Sequence, residues 1–112
     1  MSLRLIANSD ASVTITVKVR NSAGTLVPYD ISAATEIAWK MNTTKSETSP
    51  TLSLTKTGAD ISFVGTGADG QYTFDLTDTQ LESLSGTYWC RSIVTIAAKN
   101  YRSKWVQAEV ST

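Results

Sequence analysis

The chain has 112 residues, 41% of them hydrophobic and 18% charged, and its ten basic and ten acidic side chains give a formal net charge of zero. That length suits one domain with a single core, read here as residues 1–112, and the balanced charge argues against nucleic acid or an anionic membrane as partner, since both reward a basic excess. Histidine is absent and Cys90 is the only cysteine, which excludes an intramolecular disulfide and removes the usual general base and the commonest zinc ligand.

In chain order, Met1-Ser2-Leu3-Arg4-Leu5-Ile6-Ala7 lacks the long apolar core of a secretion signal. No apolar run approaches the roughly 20 residues that span a bilayer. The chain reads as soluble and made in the cytoplasm. Its fourteen serines and seventeen threonines suit an all-β protein, because the β-branched threonine sits well on the solvated side of a strand.

From Ser12 to Arg20 alternation is strict, with Val13, Ile15, Val17 and Val19 on one face and Thr14, Thr16, Lys18 and Arg20 on the other. Asn21-Ser22-Ala23-Gly24 supplies a turn, and Pro28 removes a backbone donor where an edge or irregular connection is expected. Thr35 to Met41 predicts a strand whose core face carries Ile37, Trp39 and Met41. Asn42 to Pro50 is a polar loop, too hydrophilic to be buried. Leu52 with Leu54, and Ile61 with Phe63, mark two short strands around Thr57-Gly58-Ala59-Asp60.

Gly65-Thr66-Gly67-Ala68-Asp69-Gly70 makes the next turn, followed by a strand with Tyr72, Phe74 and Leu76 inward. Thr77 is placed to cap a helical turn spanning about 78–84, with Leu81 and Leu84 on its apolar side and Gly86 as its stop. Two long strands follow, Thr87 to Ala97 and Tyr101 to Ser111, joined near Ala98-Lys99-Asn100. Seven or eight short strands and one helical turn predict an all-β, antiparallel immunoglobulin-like β-sandwich, with a small closed barrel as the alternative.

The search for chemistry is mostly negative. A serine or cysteine nucleophile lacks its histidine partner, and Asp75 with Asp78 has nothing apolar alongside to raise a carboxyl pKa. Gly65 to Gly70 has the form GxGxxG but leads into a strand, whereas a dinucleotide site needs a long helix there. Asp60, Asp69, Asp75 and Asp78 lack the spacing of a calcium loop and read as turn and capping residues. Asn42-Thr43-Thr44 matches a glycosylation acceptor, which means little without a secretion signal. Cys90 reads as a buried spectator thiol. The expectation is a protein that is not an enzyme and uses neither cofactor nor metal.

Charge and aromatic residues are left as the recognition signals. Asp60, Asp69, Asp75, Asp78 and Glu82 form a run without a base, and Arg91, Lys99, Arg102 and Lys104 one without an acid. Such a dipolar chain can attract copies of itself, although two solvated faces explain the pattern as well. Alternation places Trp89, Arg91, Ile93, Tyr101 and Trp105 together outside the terminal hairpin, a candidate protein-contact patch of the kind enriched at interfaces. A bulge would instead change the register and send Trp89 or Trp105 into the core.

The run Asp69-Gly70-Gln71-Tyr72-Thr73-Phe74-Asp75-Leu76-Thr77-Asp78-Thr79-Gln80-Leu81, then Ser85-Gly86-Thr87-Tyr88 and a hairpin ending Val106-Gln107-Ala108-Glu109-Val110, resembles the small immunoglobulin-like modules of tailed-phage virion proteins. Ser22-Ala23-Gly24-Thr25-Leu26-Val27-Pro28-Tyr29-Asp30-Ile31, then Ala34-Thr35-Glu36-Ile37 entering a strand, fits the same pattern. Such modules occur at the N-terminus of upper baseplate proteins and in small prophage tail or neck proteins. The loop at Asn42 to Pro50 is longer than that pattern has. The resemblance implies a phage or prophage structural protein assembled in the bacterial cytoplasm into the virion, homo-oligomeric and docked to other virion subunits. It implies no catalytic residues. The alternative is a carbohydrate-binding or adhesion module that stacks exposed Trp residues on sugar rings.

Overall fold

The structure, a computed structural model, describes residues 3–7 and 9–111; Met1 and Ser2 of the N-terminal run lie outside them. Eleven strands and one helical turn follow in order: β1 (Leu3–Ile6), β2 (Ala11–Thr16), β3 (Lys18–Arg20), β4 (Leu26–Pro28), β5 (Glu36–Asn42), β6 (Leu52–Thr55), β7 (Ile61–Phe63), β8 (Gln71–Leu76), α1 (Asp78–Leu81), β9 (Gly86–Ile96), β10 (Lys99–Arg102) and β11 (Val106–Ser111). The larger sheet runs β1-β11-β9-β5-β6, with β10 on the distal half of β9; a smaller one runs β2-β8-β7, and β3 pairs with β4 as a two-stranded ribbon. This is an immunoglobulin-like sandwich, with β6 extending the larger sheet beyond β5 on the side where variable-type domains add strands. All pairs are antiparallel except β1 with β11, which run parallel. The expected seven or eight strands become eleven because two are broken, β2 from β3 at Val17 and β10 from β11 at Ser103 to Trp105, and because β1 and β4 also form.

The core follows the alternation. Val13, Ile37, Trp39, Met41, Leu54, Ile61, Tyr72, Phe74, Leu76, Tyr88, Cys90, Val94, Ala108 and Val110 form one buried cluster between the sheets. Trp39 and Phe74 meet across it with ring centroids 4.7 Å apart and their planes tilted by 38°. The buried Tyr72 hydroxyl pairs with the Ser92 hydroxyl, so one hydrogen bond joins β8 to β9 through the middle of the core. No described buried side-chain polar atom is left without a partner, as the cost of burying an unpaired polar group demands.

The helical turn is capped as expected, since Thr77 Oγ1 accepts from the Gln80 amide at 3.2 Å while Gln80 Oε1 accepts from the Thr77 amide at 2.8 Å. It is shorter than expected, ending at Leu81, and Gly86 does not stop it but opens β9 at φ 93°. Tyr88 lies buried at the start of β9, two residues before Cys90, and its hydroxyl accepts from the Ser85 amide at 3.3 Å. That is the local bond of the tyrosine corner in immunoglobulin domains, and Trp39 on β5 stands where their buried tryptophan does. Tyr88-Trp89-Cys90 after a distant Trp39 was the available signal for this. Cys90 is buried without a partner, its thiol pushed up to about 11 by burial and donating to the Val106 carbonyl.

Candidate docking surface

The outward side of the larger sheet carries Trp89, Arg91, Ile93 and Thr95 from β9 beside Glu36, Ala38, Lys40 and Asn42 from β5. Across the other edge of β9, Gln107 faces Trp89. The polar loop 43–50 folds back over this surface instead of standing away from it. Asn42, buried at the end of β5, holds the loop by donating from Nδ2 to the Ser46 and Thr48 carbonyls, each at 3.2 Å.

Two loop side chains reach the sheet. Lys45 places its ammonium 4.4 Å from the Trp89 ring centre, and Glu47 Oε2 accepts from Arg91 at 2.9 Å and from Arg102 at 2.8 Å. Arg91 also lies 4.4 Å from the Trp105 ring centre and donates from Nε to the Ser103 carbonyl at 3.1 Å. Trp105, Arg91, Glu47 and Arg102 thus form one continuous chain of stacked and ion-paired groups. Both indoles are half-buried, each with a cation against its face.

The predicted five-residue patch is therefore only partly assembled. Trp89, Arg91 and Trp105 share the surface, and Ile93 lies on the same side but is buried. Tyr101 does not belong to it. In β10 the register pairs Tyr101 with inward-facing Val94 and Arg102 with Ile93, whereas β11 pairs Val106 with Cys90. One extra residue therefore separates the two strands, a bulge held by Ser103, whose amide donates to the Ser92 carbonyl and whose hydroxyl accepts from the Ser92 amide. The bulge turns Tyr101 to the opposite side, 5.8 Å from Tyr29, and brings Arg102 into the patch in its place. Neither Trp89 nor Trp105 enters the core. The hairpin turn also lies at Ala97 and Ala98, both at positive φ, rather than at Ala98 to Asn100.

A second feature lies on the other side of that hairpin. A groove of about 850 Å³ opens between β2–β3 and β10 with the bulge; Val13, Ile15, Val17, Leu26, Tyr29 and Tyr101 supply much of its apolar wall. Its charged lining residues are Lys18, Arg91 and Arg102, all basic. Among the described residues no three His, Cys, Asp or Glu side chains are grouped to hold a metal ion.

No protein-family model matches the sequence, and no curated protein matches it significantly. Among solved structures, a part of the endo-beta-1,4-mannanase of Thermotoga petrophila superposes with a TM-score of 0.55 at 16% identity, over 96% of this chain and 17% of that one. The chain thus spans about a sixth of that enzyme's length, and the likeness is one of fold. The natural killer cell receptor described as a triggering partner in natural cytotoxicity gives 0.40 at 20% identity, over 98% of this chain and 96% of that one. The major subunit of aggregative adherence fimbriae type I from Escherichia coli gives 0.34 at 10%, over 98% and 89%.

Glu47 is the joint of the surface. Burial raises its carboxyl pKa, but hydrogen bonds and charge from Arg102 and Arg91 outweigh that and hold it below the ordinary carboxylate range. A depressed folded pKa means the ion pairs contribute fully above the unfolded value and are lost as pH falls through the folded one. Glu47→Gln is expected to cost about 1 kcal/mol or less, because both pairs are partly solvated. It should also loosen the loop over Trp89, read as a change in tryptophan emission. In the parent protein the same emission change should appear on acidification below the ordinary glutamate pKa of about 4.3, and in the variant it should be largely absent. Equal acid responses in the two proteins would contradict this role.

Proposed function

We propose that the protein is a non-enzymatic structural module that works by self-assembly and docking, as a tail, baseplate or neck component of a phage or prophage virion. The observation that carries the docking part is the surface cluster of Trp89, Trp105, Arg91 and Arg102, half-exposed and held in place by Glu47 and Lys45. Tryptophan and arginine are the residues most enriched where proteins bury energy against one another. Their pre-ordering by the loop lowers the side-chain entropy lost on binding. The virion setting rests on the resemblance in strand and turn pattern described above.

Purified protein, alone and mixed with the products of neighbouring genes, is expected to give larger species by light scattering and cross-linking. Trp105→Ala should weaken the mixed species. A strict monomer that ignores every such neighbour would refute the proposal.

A carbohydrate-binding reading has one observation in its favour, the shared fold with part of a mannanase. Against it, Lys45 and Arg91 each cover one face of an indole, which reduces the ring surface on which a sugar could stack. Strong binding on a glycan array, abolished by Trp89→Ala, would reverse this order of preference.

A further inference from the structure

We infer that β2 is a self-pairing edge through which two copies associate about a two-fold axis. This rests on the self-assembly part of the function proposed above and names the surface that performs it. β2 ends the order β2-β8-β7, and at six residues it is the longest edge strand of either sheet.

The direction of its backbone groups can be read from its partners. The Val13 carbonyl accepts from Thr73 Oγ1 at 2.9 Å, the Val17 amide donates to the Gly70 carbonyl at 2.8 Å, and the Val17 carbonyl accepts from the Tyr29 amide at 2.9 Å. Odd-numbered residues therefore bond toward β8 and β4. Ser12, Thr14, Thr16 and Lys18 direct their amides and carbonyls the other way, as the pairing of Lys18 opposite the donor-less Pro28 requires. A row of main-chain donors and acceptors with no proline or bulge from Ala11 to Thr16 is a template for another strand.

The edge is complementary to itself. Placed antiparallel with the axis at Thr14, two copies set Thr14 opposite Thr14, Ser12 opposite Thr16, and Asp10 opposite Lys18, so that each end of the seam carries one ion pair. Asp10 and Lys18 are exposed, and neither has a salt-bridge partner among the described residues. Shifting the axis to Ile15 would oppose Asp10 to Arg20, which already donates to the Gly24 carbonyl at 2.8 Å. The groove lies along this edge, since Thr14, Thr16 and Lys18 line it together with Val13, Ile15 and Val17. A second copy on the edge then covers half-buried apolar surface as well as satisfying the backbone. An isologous contact of this kind closes on itself as a dimer.

Sedimentation velocity of the full chain across a concentration series tests the assignment, with circular dichroism as the check on folding. The parent protein is expected to dimerise, and Thr14→Pro, which deletes a donor on the free edge, to be monomeric. Lys18→Glu should weaken the dimer by about tenfold or more through like-charge contact with Asp10. Asp10→Asn should weaken it less, while keeping the acceptor that Asp10 Oδ1 offers the Asp78 amide at 2.7 Å. A dimer unaffected by Thr14→Pro or by Lys18→Glu overturns the β2 seam and leaves self-assembly standing through another surface. A parent protein that stays monomeric at every concentration overturns the seam and the self-assembly reading together.

Discussion

Replacing Trp39 by alanine is expected to lower the unfolding free energy by about 3–5 kcal/mol. The indole is 1% exposed on β5, opposite Leu54 of β6 and Ser92 of β9, and it meets Phe74 of the facing sheet. Its removal deletes contacts to both layers at once, and a cavity in a sandwich can close only if the sheets approach each other. The strands of β5 and β9 are tied along seven residue pairs, which resists that collapse. Against a total stability of about 5–15 kcal/mol, such a loss lowers the melting temperature by roughly 15 °C or more. Trp39→Phe should recover a substantial part. Thermal unfolding followed by far-ultraviolet circular dichroism measures both; a shift of only a few degrees for the alanine variant would show that the core does not hinge on this ring.

Gly70→Ala is expected to cost about 2–5 kcal/mol, from backbone strain and from collision together. Gly70 has φ 76°, and a Cβ there would lie 2.7 Å from both the Tyr29 and the Val17 carbonyl oxygens. Those obstacles are main chain, so they cannot rotate away. Relief would pull apart the junction where Val17 bonds Gly70 and Tyr29, the point at which β2 passes into β3. Gly24→Ala is the internal control, with φ 80° but nothing within 4 Å, and should cost only about 1–2 kcal/mol. Denaturant midpoints for the two variants separate the contributions. Equal losses would mean that the close approach at Gly70 contributes nothing.

The groove and the docking surface depend on events the chain pattern signals unequally. The Ser12 to Arg20 alternation, the inward row of Tyr72, Phe74 and Leu76, and the Thr77 cap are local, set by neighbours within a few residues, and they were legible. The turn at Ala97 and Ala98 was not, because alanine carries no preference for positive φ and Lys99-Asn100 offers a more ordinary turn signal. The break in the last strand was equally hidden. Ser103 supplies both a donor and an acceptor to Ser92, and only the presence of β9 alongside makes that exchange favourable.

Composition and alternation determined that the chain is all-β and that Ile37, Trp39 and Met41 on β5 lie inside. These follow from the two-residue period of a strand and the preference of apolar groups for burial. The sandwich rather than a closed barrel, and the outward side for Trp89 and Trp105, were decided only by how the strands pair. Tertiary structure alone decided which residues share the outward surface. A single bulged residue exchanges the two sides of a strand, so Tyr101 left for the groove and Arg102 took its place. Glu47 joins Arg91 and Arg102 from 44 and 55 residues away. Contacts at that separation exist only once the loop has folded across the sheet, and no periodicity within the chain encodes them.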